Sequence, residues 1–272
     1  MLPLIPLLLS FSIASASGGP FDYLMFTAIY PTAVCRADDD TVPESCEIPS
    51  GTPTWTVHGL WPNFENGSYP QFCPGNPKHF DEKLIKPIEE EMRRSWPNLY
   101  PTKSITSFWK HEYDKHGTCA QSDERFSSEL LYFENALKAY KSLPIAEAMS
   151  KFQGNPDEPI KADEMVEAIK AVIGGHEFQY HCLKDKKTGQ TLLGDIRVCM
   201  NKDLTFRSCP DDKWMNRVAS RIGRSMRGKR GPHPPPLPNF TECPTRFIYL
   251  KPDQGEDNTI IGKLWRTVKN IG

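Results

Sequence analysis

Apolar residues along this chain follow two rhythms. Tyr23 to Val34 opens with an unbroken aromatic and β-branched run and predicts a buried strand. Trp55 to Leu60 alternates apolar and polar positions and predicts a second strand. Phe80 to Arg94 has helical spacing, with Pro87 as an expected kink. Ser104 to Lys115 predicts a helix that Gly117 stops. Ser127 to Lys141 predicts an amphipathic helix with Leu130, Leu131, Phe133, Leu137 and Tyr140 on its apolar stripe. Ala162 to Ile173 predicts another, ended by Gly174 and Gly175. Leu192 to Met200, Thr205 to Cys209 and Arg246 to Lys251 read as later strands. Helices and strands are mixed without repeats, so the fold class is α+β. No linker precedes residue 220, and residues 17–251 read as a single domain. Ile222 to Pro238 gathers arginine, glycine and proline and predicts an exposed insertion, followed by a tail over 252–272.

Composition narrows the class. In 272 residues, 33 basic side chains face 34 acidic ones, so attraction for a polyanion has to be local. Met1 to Ala16 has the form of a secretory signal: an apolar run from Leu2 to Phe11, then the small-x-small tripeptide Ala14-Ser15-Ala16. The usual leading basic residue is absent, and the run is too short to span a bilayer. Eight cysteines in a secreted chain predict a disulfide framework. They are Cys35, Cys46, Cys73, Cys119, Cys182, Cys199, Cys209 and Cys243, and none has the Cys-x-x-Cys spacing of a zinc or redox site. Sequons at Asn66 and Asn239 agree with the secretory route.

The chemistry concentrates in two segments. One is Trp55-Thr56-Val57-His58-Gly59-Leu60-Trp61-Pro62; the other runs from Phe108 to Cys119. On a regular helix His111 and Lys115 share one face, and Glu112 and His116 share the adjacent one. RNA cleavage needs a base for the 2′-hydroxyl proton, an acid for the departing 5′-oxygen, and positive charge over the phosphorane. Two imidazoles titrating near the working pH meet the first two needs, and a lysine the third. Glu112 beside His116 favours His116 as the base, which leaves His58 as the acid. A zinc protease motif does not fit, because His111 and His116 are five residues apart, about 140° around a helix. Trp61, Tyr69 and Phe108 could stack bases of single-stranded RNA, and could equally be core.

These two segments resemble the active-site motifs of the ribonuclease T2 family, His-Gly-Leu-Trp-Pro and Phe-Trp-x-His-Glu-x-x-Lys-His-Gly-Thr-Cys. The resemblance is widest from Phe21 to Cys209 and implies a mainly antiparallel central sheet flanked by helices, stabilised by disulfides. It implies His58 as proton donor, His116 as proton acceptor, and Glu112 and Lys115 as groups that stabilise the phosphorane. His111 would bind phosphate, Trp61 and Tyr69 would form the first base site, and Phe108 part of the second. Asn63 stands where many members carry an aspartate that touches the base, so base preference is expected to differ. The implied disulfides are Cys35–Cys46, Cys73–Cys119, Cys182–Cys243 and Cys199–Cys209.

The sequence therefore predicts an endoribonuclease that cleaves single-stranded RNA through a 2′,3′-cyclic phosphate, with no cofactor or metal. It is expected to be monomeric, without membrane anchor or obligatory protein partner, and secreted or endolysosomal. A glycosylated binding or signalling factor with incidental catalysis is the alternative.

Overall fold

The computed structural model describes residues 21–38, 46–73, 80–100, 102–152, 158–210 and 240–252. The expected signal, the basic stretch Arg217–Arg230, the Asn239 sequon and the tail from residue 253 lie outside them.

β1 (Tyr23–Ile29) is buried along its whole length and crosses the middle of the molecule. It ends earlier than its composition predicts. Pro31 has no N–H to extend a ladder and instead opens helix α1 (Pro31–Ala37) at its first turn. β2 (Thr56–Asn63) pairs antiparallel with β1 and forms the sheet edge. Pro62 is tolerated there because an edge strand needs no donor on its outer side. A 3₁₀ turn at Lys86–Ile88 leads into α2 (Glu89–Ser95), so Pro87 starts the helical segment rather than kinking it. α3 (Ile105–Glu112) is capped by the Ser104 hydroxyl, which accepts from the Thr106 N–H. It does not stop at Gly117. A π-helical turn (Tyr113–Gly117) carries it into α4 (Thr118–Ala120).

α5 (Glu129–Ser142) is capped by Ser128. Its buried stripe is Glu129, Tyr132, Phe133, Ala136, Leu137 and Ala139, whereas Leu131 faces solvent. Tyr132 was hidden from the apolar count by its hydroxyl, which donates to the Leu60 carbonyl at 2.8 Å and ties α5 to β2. α6 (Ile145–Met149) and the short β3 (Ile160–Lys161) precede α7 (Ala162–Val172). Gly174 and Gly175 end α7 with φ of +72° and +81°. β4 (Gln179–Lys184) and β5 (Thr191–Met200) follow, then β6 (Phe206–Arg207), β7 (Thr241–Glu242) and β8 (Arg246–Phe247).

The main sheet has the order β2-β1-β5-β4-β7, with β6 beside β5, and every pairing is antiparallel. Leu24, Phe26, Leu60, Ile196 and Val198 line one face and pack with Trp109, Tyr113, Tyr132 and Phe133 from the helices. Burial of this face drives the fold, at roughly 25 cal/mol per Å² of apolar surface removed from water. Disulfides join Cys35–Cys46, Cys73–Cys119, Cys182–Cys243 and Cys199–Cys209, the same pairs that the family resemblance implies.

Candidate active site

The first chemical segment enters the site through a bulge. Thr27 of β1 faces Gly59, but the next residue, Ala28, faces Val57. His58 is the extra residue, opposite no single partner. Counted back from core-facing Leu60, a regular strand would turn residue 58 to the core; with the bulge that side goes to Val57, and His58 is re-aimed. Gly59 is also required, because a Cβ there would overlap the Trp61 indole nitrogen and the Glu112 carboxylate.

The second segment enters through the π turn. Trp109 anchors α3 in the core, its indole N–H donating to the Trp96 carbonyl at 2.7 Å. Tyr113, four residues on, packs with Tyr132 and Phe133. Gly117 keeps helical backbone angles, with φ of −60° and ψ of −40°, and its neighbours allow no side chain: a Cβ would overlap the Tyr113 ring and lie 3.1 Å from Tyr132. The π turn adds one residue to the helical circuit, so His111 and His116 come within electrostatic reach of each other.

The two segments meet around Trp61. His58 lies edge-on to that indole with centroids 5.0 Å apart, and His116 stacks on it at 5.2 Å. The indole N–H donates to Glu112 Oε2 at 2.8 Å. The carboxylate is thus turned to the indole and not to His116, which alters the pairing expected from regular helical spacing. Nδ1 of His58 and Nδ1 of His116 are buried without a hydrogen-bond partner among the described residues. Phe108 lies 5.8 Å from the His58 ring and also packs edge-on to Trp96.

Burial favours the neutral form of each of these groups, and repulsion from neighbouring cations adds to it for the two imidazoles. His58 is pushed down to about 3, chiefly by burial; Arg197, Lys115 and His111 lower it further, while Asp195 raises it. His116 falls well below the ordinary imidazole range for the same main reason, helped by Lys115, His111 and His58. Burial pushes Glu112 up to about 7, against the Trp61 hydrogen bond and the charge of Lys115.

Tyr69 is half exposed. Asn63 is buried at the end of β2, where its Nδ2 donates to the Trp61 carbonyl at 2.9 Å. Asn66 sits in an exposed turn and its Oδ1 accepts from the Ser68 N–H.

Several neighbours were not singled out by the sequence. Asp195, fully buried on β5, accepts from Arg197 Nε and Nη2 at 2.9 and 2.7 Å and pairs with His181 Nδ1 at 3.0 Å. The held guanidinium lies 5.5 Å from the Trp61 ring centroid. Phe240, from after the basic stretch, reaches within 6.4 Å of the His58 ring. Only strand register places Asp195 and Arg197 on one side of β5, opposite Ile29 and Thr27.

The family model described as the Ribonuclease T2 family matches residues 21–209. The chain belongs to this family. The ribonuclease T2 protein rnst-2 of Caenorhabditis elegans is 59% identical over 267 residues, 95% of this chain and 94% of the relative. Ribonuclease Oy of Magallana gigas is 34% identical over 194 residues, 70% of this chain and 87% of that protein. Among solved structures, RNase NT in complex with 5′-AMP superposes with a TM-score of 0.63 at 25% identity, covering 85% of this chain and 98% of its own. As a member of the ribonuclease T2 family the chain is an endoribonuclease, and its mainly antiparallel α+β fold is that of the family. The relatives favour the enzyme over the binding factor. Family members are secreted or lysosomal, and no described helix is long and apolar enough to cross a membrane.

Proposed function

We propose that His58 and His116 are the proton-transferring pair of this ribonuclease, acting on single-stranded RNA without a metal or cofactor. His116 takes the 2′-hydroxyl proton as the oxygen attacks phosphorus. His58 delivers a proton to the departing 5′-oxygen, leaving a 2′,3′-cyclic phosphate that water opens more slowly to a 3′-phosphate. Each transfer contributes about 10²–10⁴-fold. Lys115, His111 and Glu112 hold the phosphorane, and Trp61, Tyr69 and Phe108 contact bases. Asn63, held against the Trp61 carbonyl, tunes base preference by fixing that end of β2.

The observation that carries this reading is the pair of buried imidazoles, one from a bulge and one from a π turn, set against one indole at 5.0 and 5.2 Å. Arrival of an anionic phosphate raises His58 from its depressed state, so its acid form is populated on the substrate and most readily at low pH, while burial keeps His116 neutral and able to accept the 2′-hydroxyl proton. Residues 17–251 form the working domain, which travels the secretory route to the exterior or an endolysosomal lumen and acts as a monomer.

Cleavage of single-stranded RNA with EDTA present, between pH 4 and 8, tests the proposal. Activity should survive EDTA, be greatest on the acid side, yield 2′,3′-cyclic phosphate ends and fall by at least about 10³-fold in His116→Ala. His58→Ala should be rescued by a substrate with an activated leaving group. Full activity of His116→Ala would overturn the assignment.

A further inference from the structure

Among the described residues only four large hydrophobic side chains are well exposed, Tyr69, Phe72, Leu84 and Leu131, and of these Phe72 stands beside His111. Nothing in the packing of the fold explains Phe72. Its ring is 52% exposed. Its backbone has a φ of +49°, in the left-handed region that a bulky residue avoids. Glycine would adopt that conformation more easily. Such strain persists only where the surroundings over-determine it, and it gathers at ligand clamps.

The surroundings here come from the catalytic helix itself. The Phe72 N–H donates to the Lys115 carbonyl at 2.9 Å, and the next residue, Cys73, is bonded to Cys119. Both anchors lie on the run that carries Glu112, Lys115 and His116. The ring is thereby held edge-on to His111, with centroids 6.4 Å apart and planes at 72°. An exposed aromatic face, fixed beside a phosphate-binding imidazole, has the chemistry of a stacking platform.

We propose that Phe72 stacks a nucleobase of the RNA adjoining the scissile phosphate, a base contact separate from Trp61, Tyr69 and Phe108. The inference rests on the ribonuclease reading of the same site. A phenyl ring offers no hydrogen-bonding group, so it accepts any base, and it requires a base splayed from a single strand.

Phe72→Gly is the first variant to make. Relief of the positive φ should leave its thermal midpoint at or above that of the parent. Its kcat/KM on single-stranded RNA should nonetheless fall by roughly 5- to 100-fold, mainly through KM. Phe72→Leu, which keeps the strain and the bulk but not the ring, should lose a similar factor, while Phe72→Trp should retain activity. Short oligonucleotides with one abasic nucleotide at successive positions then locate the contact. The parent should lose efficiency at one position beside the cleaved bond, and Phe72→Gly should show no added loss there. Wild-type kcat/KM in Phe72→Gly, or equal abasic penalties at every position in both proteins, would overturn the inference. His116→Ala in the same assay separates the two readings. If it is inactive while Phe72→Gly cleaves like the parent, only the stacking proposal fails; if it cleaves, the catalytic assignment fails as well.

Discussion

Glu112 illustrates how much a single buried group decides. It is 2% exposed, accepts one hydrogen bond from Trp61, and is pushed up to about 7 from an ordinary 4.5, chiefly by burial. Below about pH 4.5 the carboxyl is protonated in both folded and unfolded chains. Between pH 4.5 and 7 the unfolded chain ionises while the buried group resists, so native stability falls through that window. Glu112→Gln keeps an acceptor for the indole and removes the charge. Its thermal midpoint should match the parent at pH 4 and exceed it at pH 8, while kcat falls by about 10²–10³-fold. His58 acts in the opposite sense. Its folded pKa is near 3 against 6.5, so stability is lost as pH falls below 6.5, where the unfolded chain takes a proton that the buried ring refuses. The two slopes oppose each other between pH 4.5 and 6.5, which flattens the profile over the acid range in which the enzyme is expected to work.

At the scale of elements, the proposed chemistry sits where regular structure is interrupted. The bulge in β2 presents His58, and the π turn after α3 presents His116. Gly59 lets the two interruptions approach, because its missing side chain leaves room for Trp61 and Glu112 to meet. Gly59→Ala should therefore separate indole from carboxylate, lower kcat/KM by at least about 10²-fold, and cost roughly 1–3 kcal/mol in a denaturant titration. These interruptions also mark the limit of what the sequence discloses. The α5 and α7 helices, the β1 and β5 strands and the residue types of the site were all readable, because period and composition report burial directly. A bulge depends on which residue lies across from it on another strand, and a π turn depends on the rings of Tyr113 and Tyr132 around Gly117. Counting four residues per helical step paired Glu112 with His116; the structure gives Glu112 to Trp61, a partner 51 positions away. Arg197 was visible only as part of a strand, since its place over Trp61 comes from sheet register.

At the scale of the whole molecule, the segment 240–250 closes a core that the family match over 21–209 leaves open. Tyr249 stacks near Tyr30 and Trp55, with centroids 4.9 and 6.2 Å away, and its hydroxyl accepts from the Trp55 indole at 3.2 Å. Tyr30 in turn donates to the Leu250 carbonyl at 2.6 Å. The Cys182–Cys243 bond fastens the segment to β4, and Phe240 reaches the His58 ring. Tyr249→Ala should cost about 3–5 kcal/mol in a urea titration. A chain ending at residue 210 should fail to give a cooperative transition, although it contains every proposed catalytic group.

The buried Nδ1 of His58, without a hydrogen-bond partner among the described residues, has a consequence for how the enzyme handles acid. If His58 is the acid, an imidazole that burial keeps uncharged has to draw a proton from the medium when an anionic strand arrives. Affinity and acidity are then thermodynamically coupled, and each proton taken up strengthens binding by about tenfold per unit fall in pH. RNA should therefore be held more tightly as acidity rises and released more readily as it falls, a dependence that traces to the burial of one imidazole.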